Sequence, residues 1–273
     1  MNDKLFSLNG RVIVITGAAG LLGQKHAEVV AQAGGTPVLL DLHAKPLENL
    51  AAELNARYGS TASGWVVDIT QEDEIVANCA ALLSRYGHID GLVNNAANNP
   101  KVEGDGNKYF SRLENFPLTA WYADIAVGLT GAFLCAKHYG HAIARQGGSI
   151  VNISSDLGLI APDQRLYRNP GLPEDQQPVK PVSYSVVKSG LIGLTRYLAT
   201  YWAVKGVRCN ALCPGGVENK QDPAFIKEVS SRIPMGRLAR PDEYQGVLLF
   251  LLSEASSYMN GAILSVDGGR TAW

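Results

Sequence analysis

The stretch RVIVITGAAGLLG, residues 11–23, decides the fold. Its first half, Arg11–Thr16, is an apolar run without polar alternation, which is typical of a strand buried on both faces of a sheet. Its second half places Gly17, Gly20 and Gly23 between this strand and a stretch of helical spacing. Glycines at such a turn let the backbone approach a pyrophosphate closely, and the helix N-terminus offers free N–H groups to the phosphates. The stretch therefore predicts a strand–turn–helix unit that binds a dinucleotide.

The rest of the chain repeats the alternation of strand and helix. Six further strands are expected, at 37–41, 64–68, 91–95, 149–154, 207–213 and 262–266. Helices are expected at 21–33, 45–58, 71–87, 118–145, 182–205 and 242–253. Strict alternation of this kind is typical of α/β proteins. We predict a single doubly wound Rossmann domain over 1–273, with a parallel sheet of about seven strands covered by helices on both faces.

Two segments interrupt this rhythm. Residues 98–117 are polar and contain glycine, and residues 162–182 hold five of the thirteen prolines. Neither has helical or strand periodicity, and loops this long inside a compact domain are usually functional or disordered. We predict that both are substrate loops.

The composition narrows the class of protein. The chain has 273 residues, 46% of them apolar, with 24 basic and 25 acidic side chains. These values are typical of a globular protein, and a net charge of −1 excludes a nucleic-acid binder that depends on excess positive charge. No apolar run reaches the ~18 residues of a membrane helix, and the first residues have no secretory signal pattern. We predict a cytoplasmic protein without nucleic-acid or membrane partners.

The cysteines do not form a recognisable binding or disulfide pattern. Cys79, Cys135, Cys209 and Cys213 lack both metal-ligand spacing and the density of a disulfide scaffold. We expect four reduced, mostly buried thiols and no metal site.

Two aspartates end strands that follow the glycine turn. Asp41 stands 24 residues after Gly17, where a carboxylate can accept hydrogen bonds from both adenosine ribose hydroxyls and repel a 2′-phosphate. Asp41 therefore predicts NAD rather than NADP. The alternative is that the glycines only form a turn and that Asp41 only caps a loop. Asp68 is a candidate for the adenine amino group and equally for the N-cap of the next helix.

Tyr184 and Lys188 lie four residues apart in a helical stretch, so their side chains share a face. A neighbouring ammonium stabilises phenolate and is expected to lower the pKa of Tyr184 from its ordinary value near 10. Such a pair can exchange a proton with a carbinol–carbonyl couple. Ser155 closes a strand at the edge where ligands of open α/β sheets bind, and its hydroxyl can bind a developing alkoxide.

Taken in order, these motifs resemble the short-chain dehydrogenase/reductase family along nearly the whole chain. The matching segments are the turn at 16–23, Asp68-Ile-Thr, Asn94-Asn95-Ala96-Ala97, the run 148–155, Tyr184–Lys188, the run 208–215 and Val266-Asp267-Gly268-Gly269. The resemblance implies that Tyr184 is the acid/base, that Lys188 binds the nicotinamide ribose, and that Ser155 polarises the substrate. It also implies a homotetramer or homodimer. The residues expected to contact NAD are Thr16, Gly17, Gly20, Leu21, Leu22, Gly23, Asp41, Asp68, Ile69, Asn95, Ala96, Ala97, Tyr184, Lys188, Pro214, Gly215, Val217 and Asn219.

Three positions depart from the family pattern. Leu21 replaces the middle glycine, so the spacing becomes TGxxGxxG, as in the extended epimerase-like branch, whereas the C-terminal motifs follow the short form. Gly128 stands where the family has a catalytic asparagine that steadies a helical kink and a water. Asn219 stands where a threonine often contacts the nicotinamide amide.

Three functions compete. The first is an oxidoreductase that transfers a hydride between NAD(H) and a carbinol or carbonyl. The TGxxGxxG spacing (16–23) favours a nucleotide-sugar epimerase or dehydratase, and Gly128 favours a catalytically impaired NAD-sensing binding protein. The intact Ser155, Tyr184 and Lys188 favour the oxidoreductase.

The segment between Ser155 and Tyr184 is longer than the family usually has, with 29 positions from one to the other. It is polar, without the apolar wall of a steroid or acyl pocket, and its Arg165 and Arg168 can clamp a phosphate. Asn98, with Asn99 and Lys101, can face it from the other loop. These charges fit a polar, sugar-derived substrate, and they also fit a solvated loop or a subunit contact. The runs 161–168 and 174–181 resemble a subgroup linked to flagellin glycosylation and legionaminic-acid-type sugar biosynthesis.

Overall fold

The structure is a computed structural model that describes residues 4–98 and 111–273. Its seven strands are β1 (Val12–Thr16), β2 (Thr36–Asp41), β3 (Ser63–Val66), β4 (Gly91–Asn94), β5 (Gly148–Ile153), β6 (Val207–Pro214) and β7 (Ile263–Val266). They form one parallel sheet in the order β3-β2-β1-β4-β5-β6-β7. The predicted doubly wound α/β fold is confirmed.

Helices connect the strands. They are α1 (Leu21–Gln32), α2 (Ala44–Tyr58), α3 (Glu72–Tyr86), α4 (Leu118–Ile143), α5 (Val182–Tyr201), α6 (Pro223–Ser230) and α7 (Gln245–Leu252). Two π-helical turns, Ala126–Thr130 and Ala136–Gly140, lie within α4. Turns of this kind insert a residue into a helix and often occur near functional sites.

The central strand β1 is buried along its whole length because it faces a helical layer on each side of the sheet. Successive residues of β1 point to opposite faces of the sheet. Ile13 and Ile15 pack in a core cluster with side chains of α1, α2 and α7, whereas Val12 and Val14 pack in a second cluster with α3, α4 and α5. The sheet therefore has a hydrophobic core on each side.

The sheet order reverses between β1 and β4. Where two adjacent strands connect to helices on opposite faces of the sheet, a crevice opens at the carboxyl ends of those strands. The glycine turn follows β1 there, and Asn95 and Ala96 follow β4. The order of strands thus places the residues singled out by the sequence around one crevice.

Helix α6 was not predicted from the sequence. It begins as many helices do, because the carboxylate of Asp222 accepts hydrogen bonds from the N–H groups of Ala224 (2.7 Å) and Phe225 (3.3 Å), and Pro223 occupies the first turn. The signal was present in the Asp-Pro dipeptide, but eight residues are too few for a clear apolar period.

The predicted substrate loops differ in what the structure describes. Most of 98–117 lies outside the described residues. The segment 162–182 contains two short 3₁₀ turns, Gln164–Tyr167 and Glu174–Gln176. Its irregular structure agrees with the absence of periodicity in the sequence.

Helix α4 is long and apolar enough to cross a membrane by length and composition alone, with 26 residues and a mean hydropathy of 1.4. The search for uninterrupted apolar runs missed it because Asp124 and Lys137 interrupt the sequence. In the structure its residues Cys135, Tyr139 and Ile143 are buried in the core cluster against the sheet. One face of its C-terminal half packs against the sheet, and the absence of a membrane partner stays a prediction.

The cysteines are as predicted, since all four are free and buried. Among the residues that the structure describes, no group of three or more His, Cys, Asp or Glu side chains could hold a metal ion.

Replacement of Gly23 tests how tightly the glycine turn packs. A Cβ at Gly23 would overlap the carbonyl oxygen of Gly17 and lie 2.8 Å from Ala18 Cα. We expect Gly23→Ala to lower the free energy of unfolding by about 1–3 kcal/mol, because backbone rather than a flexible side chain must move. Gly246→Ala is the matched control, since it adds a Cβ within α7 where nothing lies within 4 Å. Urea unfolding should show a loss of stability for Gly23→Ala and none for Gly246→Ala. Equal stability of the two variants would contradict the close packing at Gly23.

Candidate active site

A cavity of about 560 Å³ lies at the carboxyl ends of the central strands. Most of the residues predicted to form the site line it. They are Gly17, Gly20, Leu21, Leu22, Asp41, Asp68, Ile69, Asn95, Ala96, Ala97, Asn98, Ser155, Tyr184, Lys188, Pro214, Gly215, Val217 and Asn219. Thr16 and Gly23 lie behind this lining, and Arg165 and Arg168 lie outside it.

Thr16 fixes the glycine turn onto the end of β4. Its buried Oγ1 accepts hydrogen bonds from the N–H groups of Asn95 and Ala96, both at 3.0 Å. The Asn95 side-chain amide donates in return to the carbonyls of Thr16 and Gly17, also at 3.0 Å. Gly17 has a φ of +62°, and a Cβ there would meet Ala96 Cα at 2.9 Å. Glycine is required here for both the conformation and the space.

The turn fits the phosphates of a dinucleotide. Helix α1 begins after Gly20 without a side-chain cap, so no side chain occupies its N-terminus. The residues of its first turn, Leu21 and Leu22, line the cavity. A helix N-terminus of this kind binds anions through its free N–H groups and its partial positive charge.

Asp41 lines the cavity at the end of β2. One carboxylate oxygen accepts from the N–H of Ala19 at 3.0 Å, and the other accepts from the N–H of Leu42 at 2.8 Å. These bonds tie its side chain to the glycine turn while leaving it half-buried at the cavity wall. The position suits an acceptor for ribose hydroxyls.

Asp68 follows β3 and does not cap a helix. Its Oδ1 accepts from the N–H (2.9 Å) and the hydroxyl (2.7 Å) of Thr70, and α3 begins only at Glu72 with Gln71 as its N-cap. The N-cap alternative is therefore wrong, because the aspartate forms a local turn instead.

Ser155, Tyr184 and Lys188 meet at the other end of the cavity. The Ser155 hydroxyl donates to Asp156 Oδ1 at 2.8 Å and accepts from the N–H of Leu157 at 3.2 Å. Lys188 is buried, and its Nζ donates to the Ile153 carbonyl at 2.8 Å and lies 5.7 Å from the centre of the Tyr184 ring. Helix α5 carries both members of the Tyr–Lys pair and presents them to the end of β5.

The electrostatics of Tyr184 differ from the expectation. Burial raises the pKa of Tyr184, and the neighbouring Asp156 carboxylate adds to this rise, whereas a hydrogen bond with Ser155 lowers it. The net direction is upward, so the protein's own groups do not produce the lowered value predicted from the sequence. The reason is that desolvation of the phenol outweighs the other effects, and Lys188 is held on a backbone carbonyl.

Lys180 is a second ammonium at Tyr184. Its Nζ lies 3.9 Å from the ring centre, closer than that of Lys188. Burial lowers the pKa of Lys180 to about 8, with Asp156 and Asp124 acting against the shift. Burial also lowers the pKa of Lys188 to about 8, and the like charge of Lys180 contributes. Lys180 could not be predicted from the sequence, because nothing in its local pattern shows that a proline-rich loop returns to the tyrosine.

Gly128 leaves no room for the family's asparagine. It is buried in the first π-helical turn of α4, and a Cβ there would lie 2.5 Å from Val187 Cγ1. Helices α4 and α5 thus approach each other closely at this point. A small separate cavity lies beside it, lined by Asp124, Lys180 and Tyr184 among others.

The two arginines proposed to clamp a phosphate form ion pairs on the exposed side of their loop. Arg165 binds both carboxylate oxygens of Asp163 at 2.8 Å, and Arg168 pairs with Glu174. This geometry corresponds to the alternative of solvated loop charges. Asn98 lines the cavity and donates to the Ala123 carbonyl at 3.2 Å, whereas Asn99 and Lys101 lie outside the described residues.

The loop at 162–182 also contributes to an apolar wall of the cavity. The polar composition of this loop had predicted that no such wall would form. Leu166 is buried with Val229 and Leu238, and the ring centre of Tyr167 lies 6.0 Å from that of Phe225. All five side chains line the cavity. The expectation failed because three of them come from α6 and the chain after it, which pair with the loop only in the folded protein.

Asp156 and Arg270 form a buried ion pair that the sequence did not reveal. Arg270 Nη1 lies 2.8 Å from Asp156 Oδ2, both residues line the cavity, and their side chains are 9% and 4% exposed. Asp156 therefore binds Ser155 with one oxygen and Arg270 with the other. The two residues are 114 positions apart, so only the fold brings them together.

Two family models together match most of the chain. A family model described as short chain dehydrogenase matches residues 11–167, and one described as enoyl-(acyl carrier protein) reductase matches residues 175–271. The chain belongs to the short-chain dehydrogenase/reductase family. The predicted family is confirmed, and with it an oxidoreductase that acts on CH–OH groups and uses NAD(P).

Several relatives are similar over their whole length. Cis-4-hydroxycyclohexanecarboxylate dehydrogenase of Sinomonas cyclohexanicum is 35% identical over 269 residues, which cover 96% of this chain and 97% of the relative. The structure of a gluconate 5-dehydrogenase from Burkholderia cenocepacia J2315, in complex with NADP and tartrate, is 30% identical with a TM-score of 0.86 and full coverage of both chains. An NAD⁺-bound xylitol dehydrogenase is 26% identical with a TM-score of 0.82 and covers 96% and 99% of the two chains.

The buried ammonium of Lys188 predicts a pH dependence of stability. Its pKa is about 8 in the folded chain and about 10.4 in an unfolded one. Between these values the unfolded state binds a proton that the folded state has released, so this group's contribution to stability rises with pH. We expect the free energy of unfolding of the wild type, relative to Lys188→Met, to increase by about 2–3 kcal/mol from pH 7 to 10.5.

Lys45→Met is the control for this experiment because Lys45 is exposed and does not line the cavity. In urea unfolding, the difference in free energy of unfolding between Lys45→Met and the wild type should stay nearly constant from pH 7 to 10.5. A flat difference for Lys188→Met as well would show that Lys188 is not a desolvated charge.

Proposed function

We propose that the protein transfers a hydride between NAD(H) and a carbinol or carbonyl of a small polar substrate, with Tyr184 as the acid/base. The observation that carries this proposal is the meeting of Ser155, Tyr184 and Lys188 in the same cavity as the glycine turn. The residues around that turn and Asp41 would hold the dinucleotide. When bound, the cofactor supplies a hydride acceptor or donor, and the chain supplies proton transfer and orientation.

Each catalytic side chain has a distinct task in this mechanism. In alcohol oxidation Tyr184 takes the hydroxyl proton of the substrate, and in carbonyl reduction it returns that proton. The Ser155 hydroxyl binds the same substrate oxygen as its charge develops. Lys188 holds positive charge behind the phenol and stabilises its deprotonated form. Burial of the phenol favours its neutral state, so the cations nearby are needed for the base to form at neutral pH.

The proposed cofactor is NAD rather than NADP. Asp41 lines the cavity with its carboxylate tied to the glycine turn, where it can accept from ribose hydroxyls and would repel a 2′-phosphate. The two solved relatives described above bind one cofactor each, NADP and NAD⁺. The choice of NAD for this chain therefore depends on Asp41.

The proposed substrate is a polar alcohol or ketone of the sugar-alcohol or hydroxy-acid type. The named relatives act on hydroxy acids and on a sugar alcohol, and charged side chains line the catalytic end of this cavity. The apolar wall of Leu166 and Phe225 can cover the carbon skeleton of such a compound. A sugar-derived substrate of the legionaminic-acid type remains a prediction, and it has no support from the placement of Arg165 and Arg168.

The chain is also proposed to act in the cytoplasm as a single domain over 1–273 that assembles into a homodimer or homotetramer. Helices α4 and α5 carry large apolar side chains on their outer surfaces. Phe133, Tyr197 and Tyr201 are each at least half exposed. Exposed apolar surface on neighbouring helices is typical of a protein interface.

Tyr184→Phe tests the mechanism. Phenylalanine retains the ring but cannot transfer a proton, so we expect kcat with an authenticated alcohol substrate to fall by at least ~10³ while NAD affinity changes little. Lys188→Ala should lower both turnover and NAD affinity. NADH absorbance and calorimetric titration measure the two quantities.

Tyr86→Phe is the matched control, since its hydroxyl bonds to Ser63 away from the cavity. Full activity in Tyr184→Phe would remove the tyrosine from the mechanism. NAD binding without turnover of any alcohol or ketone would favour the NAD-sensing protein, and sugar conversion without net NADH change would favour the epimerase.

The role of Asp41 predicts a cofactor preference. We expect NAD to bind about ten-fold or more tightly than NADP, because one carboxylate faces the 2′-phosphate. Asp41→Asn should narrow this ratio by weakening the repulsion without changing the size of the side chain. Calorimetric titration of both cofactors is the measurement. Equal affinities in the wild type would contradict the assignment of Asp41.

A further inference from the structure

Arg270 reaches the catalytic end of the cavity from the chain that follows β7. One of its terminal nitrogens, Nη1, binds Asp156 Oδ2 at 2.8 Å, and the other oxygen of Asp156 accepts from the Ser155 hydroxyl at 2.8 Å. A single carboxylate group therefore separates the guanidinium from the serine that binds the reacting oxygen. Whatever Arg270 binds lies close to the reacting carbon.

The remaining edge of the guanidinium has no protein partner among the described residues. Within residues 4–98 and 111–273, Nε and Nη2 of Arg270 bond to no protein acceptor, and neither is among the buried polar atoms without a partner. Both atoms therefore reach solvent, and Arg270 lines the cavity. The pair Nε–Nη2 forms one straight edge of the planar group with two parallel donors.

Another arginine of this chain shows what that edge binds. Arg165 donates from Nε to one oxygen of Asp163 and from Nη2 to the other, both at 2.8 Å. This two-bond arrangement is the preferred geometry between arginine and a carboxylate. In Arg270, which lines the cavity, the same edge has no carboxylate partner among residues 4–98 and 111–273.

The charges around this point favour an anion. The catalytic end of the cavity is lined by the cationic Lys180, Lys188 and Arg270, against the single carboxylate of Asp156 among the described residues there. Asp124 lies behind Lys180 in the small neighbouring cavity. With water displaced, an additional negative charge is attracted more strongly than it would be at the surface.

We propose that Arg270 binds a carboxylate of the substrate through Nε and Nη2, so that the substrate is a hydroxy acid or the corresponding oxo acid. This inference rests on the proposed function, since it names the substrate class of the same site. The two donors match the two oxygens of a carboxylate. A phosphate dianion fits less well, because its second charge would face the buried Asp156 carboxylate.

Matched pairs of compounds test this inference by binding alone. Erythronate and erythritol, xylonate and xylitol, and gluconate and glucitol differ in one carboxylate against one CH₂OH group. In calorimetric titrations of the enzyme–NADH complex, we expect the acid to bind at least about ten-fold more tightly than the alcohol in at least one pair. Glucitol 6-phosphate, which carries a phosphate and no carboxylate, tests whether the site prefers a phosphate.

Two variants assign the preference to Arg270. Arg270→Lys keeps a positive charge for Asp156 but lacks the two-donor edge, so the ratio within the pair should fall below about three-fold while the alcohol binds as before. The double variant Asp156→Asn/Arg270→Gln removes both buried charges together, which avoids leaving either one unpaired, and it should also lose the preference. Arg237→Lys is the control, since Arg237 pairs with Glu243 and does not line the cavity.

The outcomes separate this inference from the proposed function. Equal affinities within every pair, a preference that survives in Arg270→Lys, or a stronger Arg270-dependent preference for glucitol 6-phosphate would each overturn the carboxylate assignment. Turnover is measured separately by NADH formation. Carboxylate binding without turnover would contradict the proposed function and leave the binding site intact.

Discussion

The hydroxyl of Thr16 joins the two central strands where the sheet reverses its order, and the rest of the site depends on this junction. It accepts from the N–H groups of Asn95 and Ala96, which brings Ala96 so close to Gly17 that no side chain fits between them. The glycine turn, the start of α1 and the end of β4 are held in one arrangement. The dinucleotide-binding half of the cavity is thus built mainly from backbone, and the hydrogen bonds of one buried side chain fix its shape.

The catalytic half is organised by charge instead. Asp156 bridges Ser155 and Arg270. The ammonium groups of Lys180 and Lys188 lie 3.9 Å and 5.7 Å from the centre of the Tyr184 ring. Burial lowers the pKa of both lysines and raises the pKa of Tyr184, so each group is held in an environment that disfavours its charged form. Folding alone would favour apolar side chains at these positions. Their presence is explained by chemistry that needs desolvated charges near a reacting oxygen.

Sequence reasoning succeeded where the signal was local. The apolar strands, the glycine turn, Asp41 and the Tyr184–Lys188 spacing each depend on residues near one another, and the structure brings them to one cavity. It failed where the contact is distant. Arg270 reaches Asp156 across 114 positions, and Lys180 returns to Tyr184 from an irregular loop. Helix α6 was not predicted because its eight residues are too few for a clear apolar period. The apolar wall was not predicted because Leu166 forms it only by packing against that helix. The upward pKa shift of Tyr184 was missed because burial cannot be read from a spacing of four residues.

The most direct test of the account is a single-turnover experiment with the enzyme in excess over an alcohol substrate and saturated with NAD. NADH absorbance is followed with the ordinary substrate and with a substrate that carries deuterium at the carbinol carbon. The account predicts slower NADH formation with the deuterated substrate, because the C–H bond breaks as the hydride leaves, and it predicts that the NADH formed carries the deuterium. Product formation without NADH, or NADH that lacks the deuterium, would contradict hydride transfer at this site.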